Sequence, residues 1–108
     1  MKSSRKVALY PDSRAQEIIN NGRHTLECAI DGLRAVAESL DDSFVGAVEM
    51  IAAMQGRVVT TGMGKSGHIA RKIAATLAST GTPASFVHPA EASHGDMGMI
   101  TQKDVLLM

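Results

Sequence analysis

The chain has 108 residues, 44% hydrophobic and 20% charged, which is enough for one folded core and unlike collagen or a disordered tract. Eleven basic and eleven acidic residues balance, only 3% of residues are aromatic and Trp is absent, so neither a basic field nor a stacking platform for nucleic acid exists. A single cysteine, Cys28, excludes an intrachain disulfide and a thiolate zinc cluster; the apolar runs are too short for a membrane span, and Val7–Tyr10, ended by Pro11, is too short for a signal-peptide core. A cytoplasmic protein is the resulting expectation.

The first half reads as helical. Apolar residues at Ile18, Ile19, Leu26, Ala29, Ile30, Leu33, Val36, Ala37 and Leu40 make one stripe, predicting a helix over about 13–40 capped by Asp12 or Ser13. Asn20-Asn21-Gly22 is the place where a kink is expected. Asp41-Asp42-Ser43 opens a second helix, about 43–55, with Phe44, Val48 and Ile51 on one face and Gly56 just past its end. Packing and subunit contacts account for both helices.

The period then changes. Val58-Val59-Thr60-Thr61 is short and β-branched, as in a buried parallel strand. A glycine turn, 62–67, leads into a helix over 66–80, with Ile69, Ile73 and Leu77 on one stripe and Ala70, Ala74 and Ala78 on another that allows close approach to a sheet. Arg71 and Lys72 are expected to face away, and Gly81 and Pro83 end the helix. Ala84–Val87 is a second strand, 88–99 a polar loop with room for a helical turn, and Val105–Met108 a third strand. Strand, helix, strand, connection, strand implies a parallel α/β sheet. No helix follows the third strand, so the reading expects a fragment of a longer domain or a truncated gene product, with an apolar edge prone to association.

Two segments carry chemistry. Gly62-x-Gly64-x-x-Gly67 sits between strand and helix, as a dinucleotide fingerprint does. The second strand, however, ends in His88-Pro89 and not in an acid that could hold ribose hydroxyls. Val59 also stands where a Walker sequence needs glycine. What remains is general: the turn points backbone N–H groups at an anion, Lys65 adds a positive charge and Ser66 a hydroxyl, a setting for a sugar phosphate or its enediolate. In the second segment, His88-Pro89-Ala90-Glu91-Ala92-Ser93-His94-Gly95-Asp96 puts two histidines and two acids after a strand's carboxyl end, where open sheets place ligands. Imidazole and carboxylate suit proton transfer and also zinc. Glu91 can equally cap a helical turn and Asp96 stabilise one. His68 reads as a packing or capping residue, and His24 as an exposed one.

The run Gly62-Met63-Gly64-Lys65-Ser66-Gly67-His68-Ile69, with Ala78-Ser79-Thr80-Gly81-Thr82-Pro83, Phe86-Val87-His88-Pro89 and Glu91-Ala92-Ser93-His94-Gly95-Asp96-Met97-Gly98-Met99, resembles the bacterial D-arabinose 5-phosphate isomerases. These carry a sugar isomerase (SIS) domain followed by paired CBS domains. The resemblance runs from about Arg57 to Met108 and is looser before it. It implies a flavodoxin-like parallel sheet, with 1–56 as the helical segment of the SIS domain and 57–108 as the first half of its sheet, without the CBS pair. It implies an aldose–ketose isomerase acting on D-arabinose 5-phosphate and D-ribulose 5-phosphate, in the supply of Kdo for lipopolysaccharide or capsule, and a homotetramer. By the same resemblance Lys65 is catalytic, Ser66, Gly81, Thr82, His88 and His94 bind substrate, and His88 can also bind zinc. No required cofactor is expected, and zinc is expected to be inhibitory or incidental. The family's phosphate loop, two glutamates and a further histidine fall beyond Met108, and the carbon base is expected among those glutamates. A non-catalytic SIS module that only binds sugar phosphate is the alternative; it would be preceded by a DNA-binding domain, and residues 1–56 lack a basic recognition helix. An inert paralogue that only associates with full-length subunits is a third reading.

Overall fold

The structure, a computed structural model, describes residues 12–108, with the side chain of Asp96 excepted. The basic N-terminal stretch and Val7–Pro11 lie outside the described residues. Two compact units divide the chain after Asp41.

Among the described residues the first unit holds one helix, α1, Asp12–Ser39. Asn20-Asn21-Gly22 does not interrupt the helix: α1 runs through it. Gln16 Nε2 donates to Asn20 Oδ1 at 2.9 Å, and Thr25 Oγ1 donates to the Asn21 carbonyl at 3.0 Å. One glycine costs roughly 1 kcal/mol against alanine, too little to break a helix this long. Its stripe is exposed within this chain, Leu26 at 65% and Leu33 at 70%.

The second unit begins with α2, Asp42–Ala53, and continues with β1, Val58–Thr60. Gly56 was expected to end α2, but its role is different. A Cβ there would collide with the Asp104 carboxylate and lie 2.7 Å from the Lys103 carbonyl, while its own N–H donates to that carbonyl at 2.9 Å. Gly56 is thus the point where the chain passes close beneath the turn that enters β3, Val105–Leu107. Asp104 closes the same turn. It accepts from the Arg57 N–H at 2.9 Å and from the Thr101 N–H at 2.8 Å.

These bonds, the one from Arg57 first, hold the Asp104 carboxyl below the ordinary carboxylate range. A lowered folded-state value stabilises the fold above the unfolded value, and that contribution is lost as pH falls through the lowered value. We expect Asp104→Asn to be less stable than the parent at neutral pH, with the gap closing in acid. Thermal melts at a series of pH values measure this, and a gap independent of pH would contradict it.

After β1 come α3, Gly64–Ser79, and β2, Ala84–Phe86. Residues 88–99 hold a short helix, α4, Pro89–Ser93, and one 3-10 turn, Asp96–Met99. The strands are parallel in the order β2-β1-β3, Val58 pairing with Ala84 on one side and Val105 on the other. β1 is central, and Val58, Val59 and Thr60 are fully buried. Each buried valine contributes about 1.5–3 kcal/mol by leaving water.

Of the two stripes on α3, the small one packs: Gly67, Ala70 and Ala74 are buried, whereas Ile69 is 61% exposed. Small residues bring the helix near enough for Thr60 Oγ1 to donate to the Ala70 carbonyl at 2.8 Å, which satisfies a hydroxyl in the middle of the core. The helix ends at Gly81, where φ is +102°, with the Thr82 N–H bonded to the Leu77 carbonyl at 2.9 Å and the Gly81 N–H to the Ala78 carbonyl at 3.4 Å. That pair of bonds is a Schellman motif.

Candidate active site

The order β2-β1-β3 has a consequence for ligands. From β1 the chain moves outward to β2, then crosses back over β1 to β3. The strand order thus reverses beside β1, and in open sheets ligands bind in the crevice at the carboxyl ends of the strands flanking such a switch point, here β1 and β3. Lys65 and Ser66 stand at this crevice, in the first turn of α3; the sequence placed Lys65 in the turn before the helix and Ser66 at the helix start. With Thr61, Ile69, Ala70, Ile73, Leu107 and Met108 they line a cleft of about 440 Å³. The N-cap of α3 is Met63, which makes no side-chain hydrogen bond, so the cleft meets a helix N-terminus that lacks a side-chain acceptor. Lys65 is exposed and its ammonium has no partner among the described residues.

The turn before Lys65 is held by contact between glycines. A Cβ on Gly67 would lie 2.6 Å from the Gly62 carbonyl oxygen, and one on Gly62 would lie 2.8 Å from the Ser66 carbonyl carbon. Neither position admits a side chain without moving backbone, and that packing sets where Lys65 leaves the helix.

His88 follows β2 and caps α4. Its Nδ1 accepts from the Ala90 N–H at 3.1 Å, so the neutral ring carries its proton on Nε2. It lines a hollow of about 160 Å³ with Gly62, Gly64, Gly67, His68, Arg71 and Phe86. His68 is therefore neither a cap nor a core residue. Arg71 does not face away as expected: its guanidinium carbon lies 4.1 Å from the centre of the Phe86 ring. Glu91 falls within α4, whose N-cap is His88 and not Glu91. His94 is the exposed C-cap residue of α4. The expectation for the Asp96 side chain lies outside the described residues. His24 is exposed as expected, with Nε2 3.7 Å from Cys28 Sγ.

The structure therefore gathers Lys65, Ser66 and His88 around the glycine turn, with Lys65 and His88 lining separate hollows. His94 stands farther along, at the end of α4. Gly81 and Thr82 are not part of this gathering. They precede β2, at the amino edge of the sheet, and their observed work is to terminate α3. A larger hollow of about 540 Å³ also lies at that amino edge, between α2 and Gln102–Leu106. Its one carboxylate, Asp104, is already bonded to backbone, which leaves the carboxyl edge as the place for chemistry.

Among the described residues, no group of three or more His, Cys, Asp or Glu side chains is placed to hold a metal ion. His88 offers Nε2 alone, since Nδ1 is used by Ala90.

Sequence reading missed Arg71 and Phe86. A cationic residue one turn past the glycine motif and an aromatic two residues before the histidine were the available signals. Neither means anything until α3 is laid on β2.

A parallel sheet in this order, with a lysine in the first turn of a helix and histidines flanking α4 at its carboxyl edge, defines an α/β protein with its candidate site at that edge. The chain belongs to the SIS domain family, whose model matches residues 51–108. It is 55% identical over 95 residues to the arabinose 5-phosphate isomerase KdsD of Pseudomonas aeruginosa, covering 88% of this chain and 29% of that protein. It is also 55% identical over 93 residues to the arabinose 5-phosphate isomerase GutQ of Escherichia coli K12, covering 86% of this chain and 29% of the relative. The chain thus spans less than a third of the length of these relatives. Among solved structures, the Escherichia coli CFT073 protein c3406 in complex with arabinose 5-phosphate is similar, with a TM-score of 0.77 and 43% identity over 84% of this chain and 48% of the other. A sugar-phosphate isomerase structure from Listeria monocytogenes also reaches a TM-score of 0.77, at 30% identity. Among the described residues no helix is long and apolar enough to cross a membrane.

Proposed function

We propose that this chain is the amino-terminal part of an arabinose 5-phosphate isomerase, which interconverts D-arabinose 5-phosphate and D-ribulose 5-phosphate. The observation that carries this reading is Lys65 in the first turn of α3, beside the β1–β3 crevice, in a chain 55% identical to KdsD over 88% of its length. The reaction moves a proton from C2 to C1 through an enediolate. It needs a base that takes the C2 proton and returns it to C1, a role the family's glutamates would fill, a cation beside the developing oxyanion, and groups that carry protons between the oxygens. Lys65 supplies the cation, with the N-terminus of α3 as support. His88, bearing its proton on Nε2, donates to a sugar oxygen, and His94 is a second substrate contact. Ser66 adds a hydroxyl in the cleft. Gly81 and Thr82 touch substrate only if another subunit presents them, which fits a homotetramer. A cytoplasmic enzyme in the Kdo pathway completes the reading.

The test is conversion of D-arabinose 5-phosphate to the ketose by the full-length protein of which this chain is a part, with pentose and hexose phosphates as controls. Saturable binding without conversion would favour the non-catalytic sugar-phosphate module, and no binding at all would reject both.

Zinc is read as inhibitory or incidental, because it would compete for the His88 Nε2 that faces sugar oxygens. Turnover is expected to survive a chelator and to fall on adding zinc, less so in His88→Ala. Activity lost to the chelator and restored only by metal would refute this.

A further inference from the structure

We propose that Phe86 and Arg71 are positioning residues for His88. They hold its ring in the one orientation that keeps Nδ1 on the Ala90 N–H and presents Nε2–H to the sugar phosphate. The inference rests on the reading of His88 as a substrate contact.

Four observations lead there. Phe86 is the last residue of β2 and is half-buried, so the strand fixes its backbone. Its ring meets the His88 ring in an edge arrangement, centroids 6.5 Å apart and planes at 76°. The Arg71 guanidinium sits 4.1 Å from the Phe86 centroid, and Arg71 makes no ion pair among the described residues. Last, a Cβ on Gly67 would fall 3.9 Å from Phe86 Cζ, so the same ring also borders the glycine turn that directs Lys65. His88 itself is exposed on α4, a helix of only five residues, which gives its ring little other support.

The physical logic is one of ring freedom. An exposed imidazole turns about its side-chain bonds and samples several rotamers. The Nδ1 bond to Ala90 selects one of them, but against water such a bond is weak. Edge contact with a ring that is itself pinned by a strand and a stacked guanidinium adds a second restraint. Without it the ring swings out, the Ala90 bond opens, and Nδ1 becomes free to take the proton. Arg71 acts only through Phe86, and Phe86 only through His88, so neither is a catalytic residue.

Long-range proton–nitrogen NMR spectra of the histidine rings of this chain test the proposal, with His88→Gln assigning the signals. The parent is expected to show His88 as the Nε2–H tautomer. In Arg71→Gln and Phe86→Leu its two ring nitrogens should move toward averaged values, and Phe86→Tyr should restore the parent pattern. Arg71 is exposed, so its variant tests the idea even if Phe86→Leu loosens the fold. Affinity for D-arabinose 5-phosphate should fall roughly two- to tenfold in the first two variants and recover in the third. Unchanged His88 ring signals in both Arg71→Gln and Phe86→Leu would overturn the proposal. Ring signals that respond while the parent fails to bind the sugar phosphate would uphold the positioning role and reject the function it was meant to serve.

Discussion

In the full-length isomerase, Lys65→Ala is expected to cut turnover about a hundredfold while leaving the fold intact. A cation aimed at an enediolate oxygen acts mainly in the transition state, and losing it costs roughly 3 kcal/mol of barrier. Fold stability should move by no more than about 0.5 kcal/mol, because the side chain is exposed and unpaired among the described residues. Lys65→Arg keeps the charge but spreads it over a planar fork, so partial recovery is expected. Steady-state kinetics beside a thermal melt separate the two effects. Near-normal turnover in the alanine variant would return Lys65 to the solvated surface of α3.

Gly67→Ala should fail in the opposite way, through the backbone. Two terms compete. Alanine is better than glycine inside a helix by roughly 1 kcal/mol. Against this, the new Cβ would stand 2.6 Å from the Gly62 carbonyl oxygen, and both atoms belong to the turn after β1. Overpacking of this kind costs about 1–3 kcal/mol, and here the obstacle is main chain and cannot rotate away. The steric term is expected to win, so the melting temperature should fall by several degrees, at roughly 4–8 °C per kcal/mol for a domain of this size. Sugar-phosphate binding should weaken with it, since the displaced turn carries Lys65. Gly22→Ala in α1 is the control: a Cβ there meets nothing within 4 Å, and only the propensity gain should remain. If Gly67→Ala melted higher than the parent, the contact between the glycines would not constrain the turn.

The 108-residue chain is also expected to associate in solution. Leu106 is 45% exposed and Leu107 40%, on a strand paired along one side only among the described residues, and Met108 just past it is 90% exposed. Sedimentation showing a monodisperse monomer would contradict this.

Local rules made much of the fold legible. The change from helical period to a short β-branched run at Val58 marked where the sheet begins, because a strand buried on both faces is apolar without a break whereas a surface helix buries only one stripe. Gly81 stopped α3 where expected, since only glycine enters that left-handed turn cheaply. Lys65 and His88 were readable because residues after a parallel strand's carboxyl end stand where ligands bind. Other features waited for the assembled unit. Gly56 looked like a helix terminus and proved to be a close approach to Lys103 and Asp104, forty-odd residues away in sequence. Gly81 and Thr82 fall at the amino edge because parallel strands put a helix's end and its start at opposite edges of the sheet. Arg71 was read as solvent-facing because periodicity gives an angle around α3 but not what lies beyond it; the Phe86 ring occupies that direction. Which segments become strands and helices, and which loops carry charge and imidazole, depends on neighbours along the chain and was settled there. Which of those groups meet was settled by the packing of α3 on β1 and β2, because a contact across a sheet depends on register and helix placement, and no single segment contains either.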